Sequence, residues 1–179
     1  MIMMKGVQKI LIDEKQIDAD VERLAAQINL DYEGKDLLLV GLLKGSFVFL
    51  SDLMKKITLP CSVDFMVVSS YGAATVSSGK VNMKKDLSED IRGKDVLIVE
   101  DIVDSGITLN AVMDILKGRE PASLKLCSLL SKPSRRVQEV HIDYLGREIP
   151  DEFVIGYGLD YNEKYRNLPF IGIIDPDYI

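Results

Sequence analysis

Three carboxylates, Glu100, Asp101 and Asp104, fall within five positions directly behind the apolar run Val96-Leu97-Ile98-Val99 and just ahead of Ser105-Gly106-Ile107-Thr108. The apolar run reads as a strand, and the residues after the acids carry a helical pattern. A strand, short loop and helix in this order leave free backbone N–H groups and the positive end of a helix dipole at the loop. Gly106 lets the backbone approach a ligand closely, and Ser105 and Thr108 add hydroxyl donors. Such a loop suits an anion like a phosphate monoester. Acids beside a phosphate repel it unless they serve another part of the ligand. The vicinal hydroxyls of a ribose supply the donors that two adjacent carboxylates need, and a divalent cation softens the repulsion. Helix capping by Asp104 or Ser105 accounts for one acid, not for three. The implied substrate is a ribose 5-phosphate with free 2- and 3-hydroxyls. Gly-x-x-x-x-Gly-Lys-Ser/Thr and Gly-x-Gly-x-x-Gly, the other phosphate-binding patterns, are absent from the chain.

The elements that must position this loop follow from hydrophobic period. Ile12 to Asn29 reads as an amphipathic helix with Ile17, Val21, Leu24 and Ile28 on one face. Asp13 and Gln16 form a capping box at its start, and Ile12 and Ile17 a hydrophobic staple. Leu37 to Leu42, Ser62 to Ser69, Asp95 to Val99 and Leu124 to Leu130 read as buried strands, and Ser46 to Lys56 and Ile107 to Leu116 as helices. Continuous Val/Ile/Leu runs without alternation suit a parallel sheet covered on both faces, so the fold class is α/β with right-handed crossovers. Phe153 to Tyr157 and Phe170 to Ile174 are later strands in or beside this sheet. Tyr71 to Lys85 lacks an apolar period and reads equally as a surface hairpin tip or a functional lid.

With 179 residues and no repeat or linker, a single domain is expected. A hydrophobic share of 47% and a charged share of 28% are ordinary for a soluble protein, and no apolar stretch is long enough to span a bilayer. The start shows no signal-peptide pattern, so a cytoplasmic location is expected. Cys61 and Cys127 sit in apolar runs and read as two buried, reduced thiols. The single histidine, His141, reads as a packed or surface residue, which excludes a zinc site or a histidine-based triad. The net charge of −6 argues against a nucleic-acid polymer as partner, so phosphate must be held by local features.

The thirteen residues Val96 to Thr108 resemble the signature of the type I phosphoribosyltransferases. The resemblance implies that family's fold, a central parallel sheet flanked by helices, with a small hood built from the N-terminal and C-terminal segments. It also implies phosphoribosyl pyrophosphate as substrate. Glu100 and Asp101 would bind the ribose hydroxyls, Asp104 would stand at the reacting centre, and Asp104, Ser105, Gly106, Ile107 and Thr108 would hold the 5-phosphate. Ile107 fills a position that often bears a polar or basic side chain, so this cradle depends more on backbone and hydroxyl donors.

Further segments resemble the hypoxanthine-guanine branch: Leu43-Lys44-Gly45-Ser46, Ser70-Tyr71, Ser131-Lys132-Pro133 and Phe153 to Glu163. An ammonium only donates hydrogen bonds, so Lys132 pairs well with a 6-oxo group and badly with the 6-amino group of adenine. By the resemblance, Lys132, Phe153, Val154 and Asp160 would bind the purine, with Phe153 stacked on its face. Lys44, Gly45 and Arg166 would hold the pyrophosphate, and the Leu43–Lys44 peptide can be cis. Ser70 and Tyr71 would lead a mobile loop, and Glu100, Asp101 and Asp160 would contribute to a magnesium site. The implied reaction is displacement of pyrophosphate from ribose C1 by N9 of a 6-oxopurine, with Asp104 accepting or sharing the N7 proton. A homodimer or homotetramer is implied, without membrane or nucleic-acid partners. The rival readings are a xanthine-preferring or adenine enzyme, and a regulatory homologue that binds nucleotides or RNA without useful catalysis.

Overall fold

Leucine, isoleucine and valine fill the strands at residues 37–43 and 95–99 so continuously that both faces must be covered, and helices cover the sheet on both sides. A computed structural model describes residues 5–70 and 81–178. The main sheet contains β2 (Leu37–Leu43), β3 (Cys61–Ser70), β4 (Val81–Lys85), β5 (Asp95–Val103), β6 (Ser123–Ser131) and β7 (Tyr144–Glu148). Its order is β4-β3-β2-β5-β6-β7, parallel throughout except for the antiparallel edge strand β4. Alternate residues of β2 serve opposite faces: Leu37 and Leu39 join one core cluster, and Leu38, Val40 and Leu42 the other.

The first face packs against helices α1 (Glu14–Asp31) and α2 (Phe47–Lys56), and the second against α3 (Ile107–Lys117). α1 begins as expected. Asp13 accepts from the Gln16 N–H at 2.9 Å, and Gln16 Oε1 accepts from the Asp13 N–H at 3.0 Å. Ile12 and Ile17 are both buried beside it, and the buried face carries Ile17, Val21, Leu24 and Ile28. The same face buries Asp20, whose carboxylate accepts from Arg147 Nε at 2.5 Å and so docks α1 on β7.

The structure adjusts several expectations. Of the two places expected for the strands near residues 153–174, in or beside the main sheet, they take the second. β8 (Val154–Ile155) and β9 (Ile171–Ile174) are shorter than expected and join β1 (Val7–Ile12), which the sequence reading missed, in a separate antiparallel sheet of order β1-β9-β8. Their shared core of Val7, Ile155, Leu168 and Ile174 is distinct from the two faces of the large sheet. β7 was also missed, because its charged residues and Gly146 give an edge strand no apolar run. The segment read as a loop to Lys85 ends in strand β4, held by pairing with Val67 to Ser70 rather than by its own pattern. Cys127 is buried, but Cys61 is only partly so, since it opens β3 below the reach of β4. His141 is a surface residue.

The capping box gives a direct test. Asp13→Ala should lower unfolding free energy by about 1 kcal/mol, read by chemical denaturation.

Candidate active site

The parallel strands end together on one side, and the site residues leave the sheet there. β5 runs on through the two acids to Val103, further than the apolar run alone indicated, so Glu100 and Asp101 lie in the strand and Asp104 opens the loop. Gly106 stands before α3 with φ 82°, a left-handed conformation, and a Cβ there would lie 2.3 Å from the Gln138 carbonyl oxygen. The turn therefore needs glycine on two counts. Ile107 N–H donates to Ser105 Oγ at 3.4 Å, and helix geometry leaves the other N–H groups of the first turn for a ligand.

A second segment clamps this loop from behind. The Ser105 carbonyl accepts from the N–H groups of Val137 and Gln138 at 2.9 and 3.0 Å. Arg136 donates to the Asp104 carbonyl at 2.5 Å and to Ser131 Oγ at 2.6 Å. Arg135 Nε lies 3.1 Å from Asp104 Oδ1 and reaches Asp151 with its other end. Sequence reading missed Arg135 and Arg136; an arginine pair just beyond the Lys132 strand end was the available signal.

Two adjoining cavities open on this edge. One, of about 230 Å³, is lined by Glu100, Asp101, Asp104, Ser105, Gly106 and Thr108, with Lys44 and Gly45 opposite. Ile107 is absent from the lining, so the variable position of the loop faces elsewhere. The other, of about 350 Å³, is lined by Lys132, Phe153, Val154, Leu159, Asp160 and Arg166, together with Lys44, Gly45, Asp101 and Asp104. Asp101 and Asp104 thus border both spaces. Ser70 closes β3 at the same edge, whereas Tyr71 lies outside the described residues.

Space between the walls is tight. A Cβ on Gly45 would lie 1.7 Å from Asp101 Oδ2, and one on Gly158, where φ is 100°, would lie 2.1 Å from the Gly45 carbonyl oxygen. The Leu43–Lys44 peptide is cis. Ser46 is buried and donates to the Leu42 carbonyl at 2.7 Å, which fixes the turn between β2 and α2.

The acid pair is buried against its chemical preference. Glu100 Oε2 is buried with no hydrogen-bond partner among the described residues. Burial, and then the neighbouring Asp101, push Glu100 well above the usual carboxylate range. Burial pushes Asp101 up to about 6, against the pull of the Ile102 N–H bond at 2.8 Å and of the Arg166 cation. On the opposite wall, Arg166 pairs with Asp160 at 2.8 Å and donates to the Gly158 carbonyl at 2.7 Å. Lys132 is buried, while Phe153 is 47% exposed and meets Tyr161 edge-on, with ring centroids 5.7 Å apart. A large aromatic side chain left this exposed beside a cavity is available to stack on a ligand. Among the described residues, no group of three or more metal-ligating side chains occurs and no helix is long and apolar enough to cross a membrane.

Asp101 titrates higher in the folded protein than the ordinary 3.8, so its contribution to stability declines as pH rises from about 4 through about 6. Asp101→Asn, which cannot ionise, should make the unliganded protein more stable at pH 7 by on the order of 2 kcal/mol and leave it unchanged near pH 4. Denaturant titrations at both pH values check this, and an equal or lower stability at pH 7 would refute it.

Comparison with known proteins agrees with this geometry. The model of the phosphoribosyl transferase domain family matches residues 8–162. The chain is 52% identical over 171 residues to the hypoxanthine phosphoribosyltransferase of Salmonella typhimurium, covering 94% of this chain and 96% of that one. It is 48% identical over 175 residues to the bifunctional protein TilS/HprT of Listeria monocytogenes, where it covers 98% of this chain but spans only 27% of the relative's length. The crystal structure of a hypoxanthine phosphoribosyltransferase from Staphylococcus aureus superposes with a TM-score of 0.94 at 48% identity, over 97% of this chain and 94% of that one. Shared sequence over almost the full length of a relative, with a shared fold, makes this chain a member of the hypoxanthine phosphoribosyltransferase branch of the type I phosphoribosyltransferase family.

Proposed function

We propose that the chain transfers the 5-phosphoribosyl group of phosphoribosyl pyrophosphate to N9 of a 6-oxopurine, hypoxanthine or guanine, giving IMP or GMP and pyrophosphate. Asp104 carries this reading, because it borders both the phosphate loop and the cavity that contains Lys132 and Phe153. A group so placed can face a sugar carbon on one side and a base on the other. The relatives' names, hypoxanthine and hypoxanthine-guanine phosphoribosyltransferase, support the same substrates.

Each residue then has a task that its chemistry suits. The α3 N-terminus with Ser105 and Thr108 binds the 5-phosphate. Glu100 and Asp101 accept the ribose hydroxyls, whose donors relieve buried carboxylate oxygens. Lys132 donates to the 6-oxo group and Phe153 stacks on the base. Lys44 and Arg166 bind the leaving pyrophosphate. Asp104 accepts the N7 proton as N9 bonds to C1 and the C1–oxygen bond to pyrophosphate breaks, and the walls of the cleft keep water from a sugar that develops oxocarbenium character.

Glu100, Asp101 and Asp160 do not gather into one cage of ligands, so each would contribute to holding magnesium mainly through water and the donor's oxygens, as that cation prefers. Glu100 Oε2 is buried without a hydrogen-bond partner among the described residues, so a cation or hydroxyl brought to it would satisfy an oxygen that the protein leaves unpaired. When bound, magnesium neutralises the diphosphate of the donor. The small sheet of β1, β8 and β9 would serve as the hood of a single domain. Two unpaired cysteines, Cys61 and Cys127, suit a reducing cytoplasm, and assembly as a homodimer or homotetramer rests on the family resemblance.

Steady-state rates with hypoxanthine, guanine, xanthine and adenine test the reading, and adenine as the best substrate would overturn it. Asp104→Ala should lower kcat roughly 100-fold or more while changing the KM for phosphoribosyl pyrophosphate little. Lys132→Ala should raise the purine KM roughly tenfold or more and spare the donor. Equal damage to both substrates would give Lys132 a scaffold role instead.

A further inference from the structure

Lys44 and Arg166 already hold an anion in this protein, and the anion is its own. Glu163 Oε2 lies 3.0 Å from Lys44 Nζ and 3.3 Å from Arg166 Nη2. The two cations draw the Glu163 carboxyl below its usual range. One carboxylate oxygen between an ammonium and a guanidinium occupies the place that an oxygen of pyrophosphate would take between the same groups.

The backbone is bent to put it there. Tyr161 and Lys164 exchange both backbone hydrogen bonds, at 3.1 and 3.0 Å, and the two residues between them have positive φ, 50° at Asn162 and 63° at Glu163. Two central residues of this kind define a type I′ turn, whose second position favours glycine. Asn162 suits the first position, but Glu163 bears a side chain where the backbone prefers none. Its N–H is fixed by Asp160 Oδ2 at 2.9 Å. Strain kept at such a residue points to work done by its side chain. Stability is a poor candidate for that work. The Glu163 and Lys44 side chains are 65% and 64% exposed, and ion pairs in water contribute little. Nor does Arg166 depend on Glu163 for its position, because Asp160 and the Gly158 carbonyl hold it independently.

We propose that Glu163 is a built-in competitor that occupies the pyrophosphate subsite of the empty protein and must be displaced from Lys44 and Arg166 whenever pyrophosphate binds. It weakens pyrophosphate binding, and the same carboxylate is at hand to recapture both cations as pyrophosphate leaves. This rests on the reading of Lys44 and Arg166 as pyrophosphate ligands.

The sign of one measurement decides it. Glu163→Gln and Glu163→Gly should bind inorganic pyrophosphate, with magnesium present, about two- to fivefold more tightly than the parent in calorimetric titrations at low salt. The gain should shrink at about 1 M salt, where screening extends over ~3 Å. Glu163→Gly should also keep or raise the melting temperature, because glycine accepts the left-handed conformation. A residue that served to position Lys44 and Arg166 would give the opposite result: weaker pyrophosphate binding in both variants. Unchanged or weaker binding overturns the inference alone, whereas a parent protein that binds no pyrophosphate overturns the reading of the subsite as well.

Discussion

Two carboxylates buried side by side at the end of the central strand set the terms for the rest of this molecule. Glu100 and Asp101 sit in β5, between strands on both sides, where loss of water disfavours the ionised form of both and Asp101 adds to the effect at Glu100. A fold chosen for stability alone would place apolar side chains there. Keeping acids requires the surrounding backbone to come close: Gly45 presses on Asp101 where no Cβ fits, and Gly158 presses on the Gly45 carbonyl in turn. The turn from β2 to α2 and the loop after β8 are thus both shaped around one carboxylate. The unliganded site is held in an unfavourable electrostatic state, which hydroxyl donors or a cation would relieve, and stability is exchanged for binding in the way functional sites often require.

Two sheets supply the two halves of the cleft. The parallel sheet brings the ends of β2, β5 and β6 to one edge, and with them Lys44, the acids and Lys132. The small antiparallel sheet supports the segment that carries Phe153, Asp160 and Arg166. Neither half is a site by itself. The loop at Asp104 lies between them, and its backbone is fixed from a third direction by the segment after Lys132, through Arg136 and the N–H groups of Val137 and Gln138. A reacting group must hold its position while its partners change charge, and backbone-level clamping of this kind gives that stability without relying on the reacting carboxylate itself.

The chain carries a net charge of −6 and yet gathers cations where anions are to be bound. Three of these cations are paired with acids. Arg166 meets Asp160 and Glu163, Lys44 meets Glu163, and Arg135 meets Asp104 and Asp151. Each pair lowers the local positive field, and the displacement of Glu163 proposed above would restore it at Lys44 and Arg166. Local pairing of this kind lets an acidic chain present cations at one edge without an overall positive field.

What the sequence determined alone were the features with short range. Continuous apolar runs declared the parallel core, because a strand covered on both faces has no room for alternation. The capping box and apolar face of α1 are spacings of three and four residues that the helix itself imposes. Glu100, Asp101 and Asp104 were legible because an acid cluster ending an apolar strand has no ordinary structural reason, and the family resemblance supplied Lys44, Lys132, Phe153, Asp160 and Arg166. The tertiary structure alone decided the rest, where pairing partners lie far apart in the chain. β1 and β7 exist because β9 and β6 offer them hydrogen bonds, not because their own residues insist on it. The same holds for the separation of β8 and β9 into a sheet of their own, for the grip of Arg135 and Arg136 on the Asp104 loop, and for Glu163 lying between Lys44 and Arg166. Local pattern records what a residue needs from its neighbours in sequence. What stands across a cleft from it is fixed only when distant segments pack.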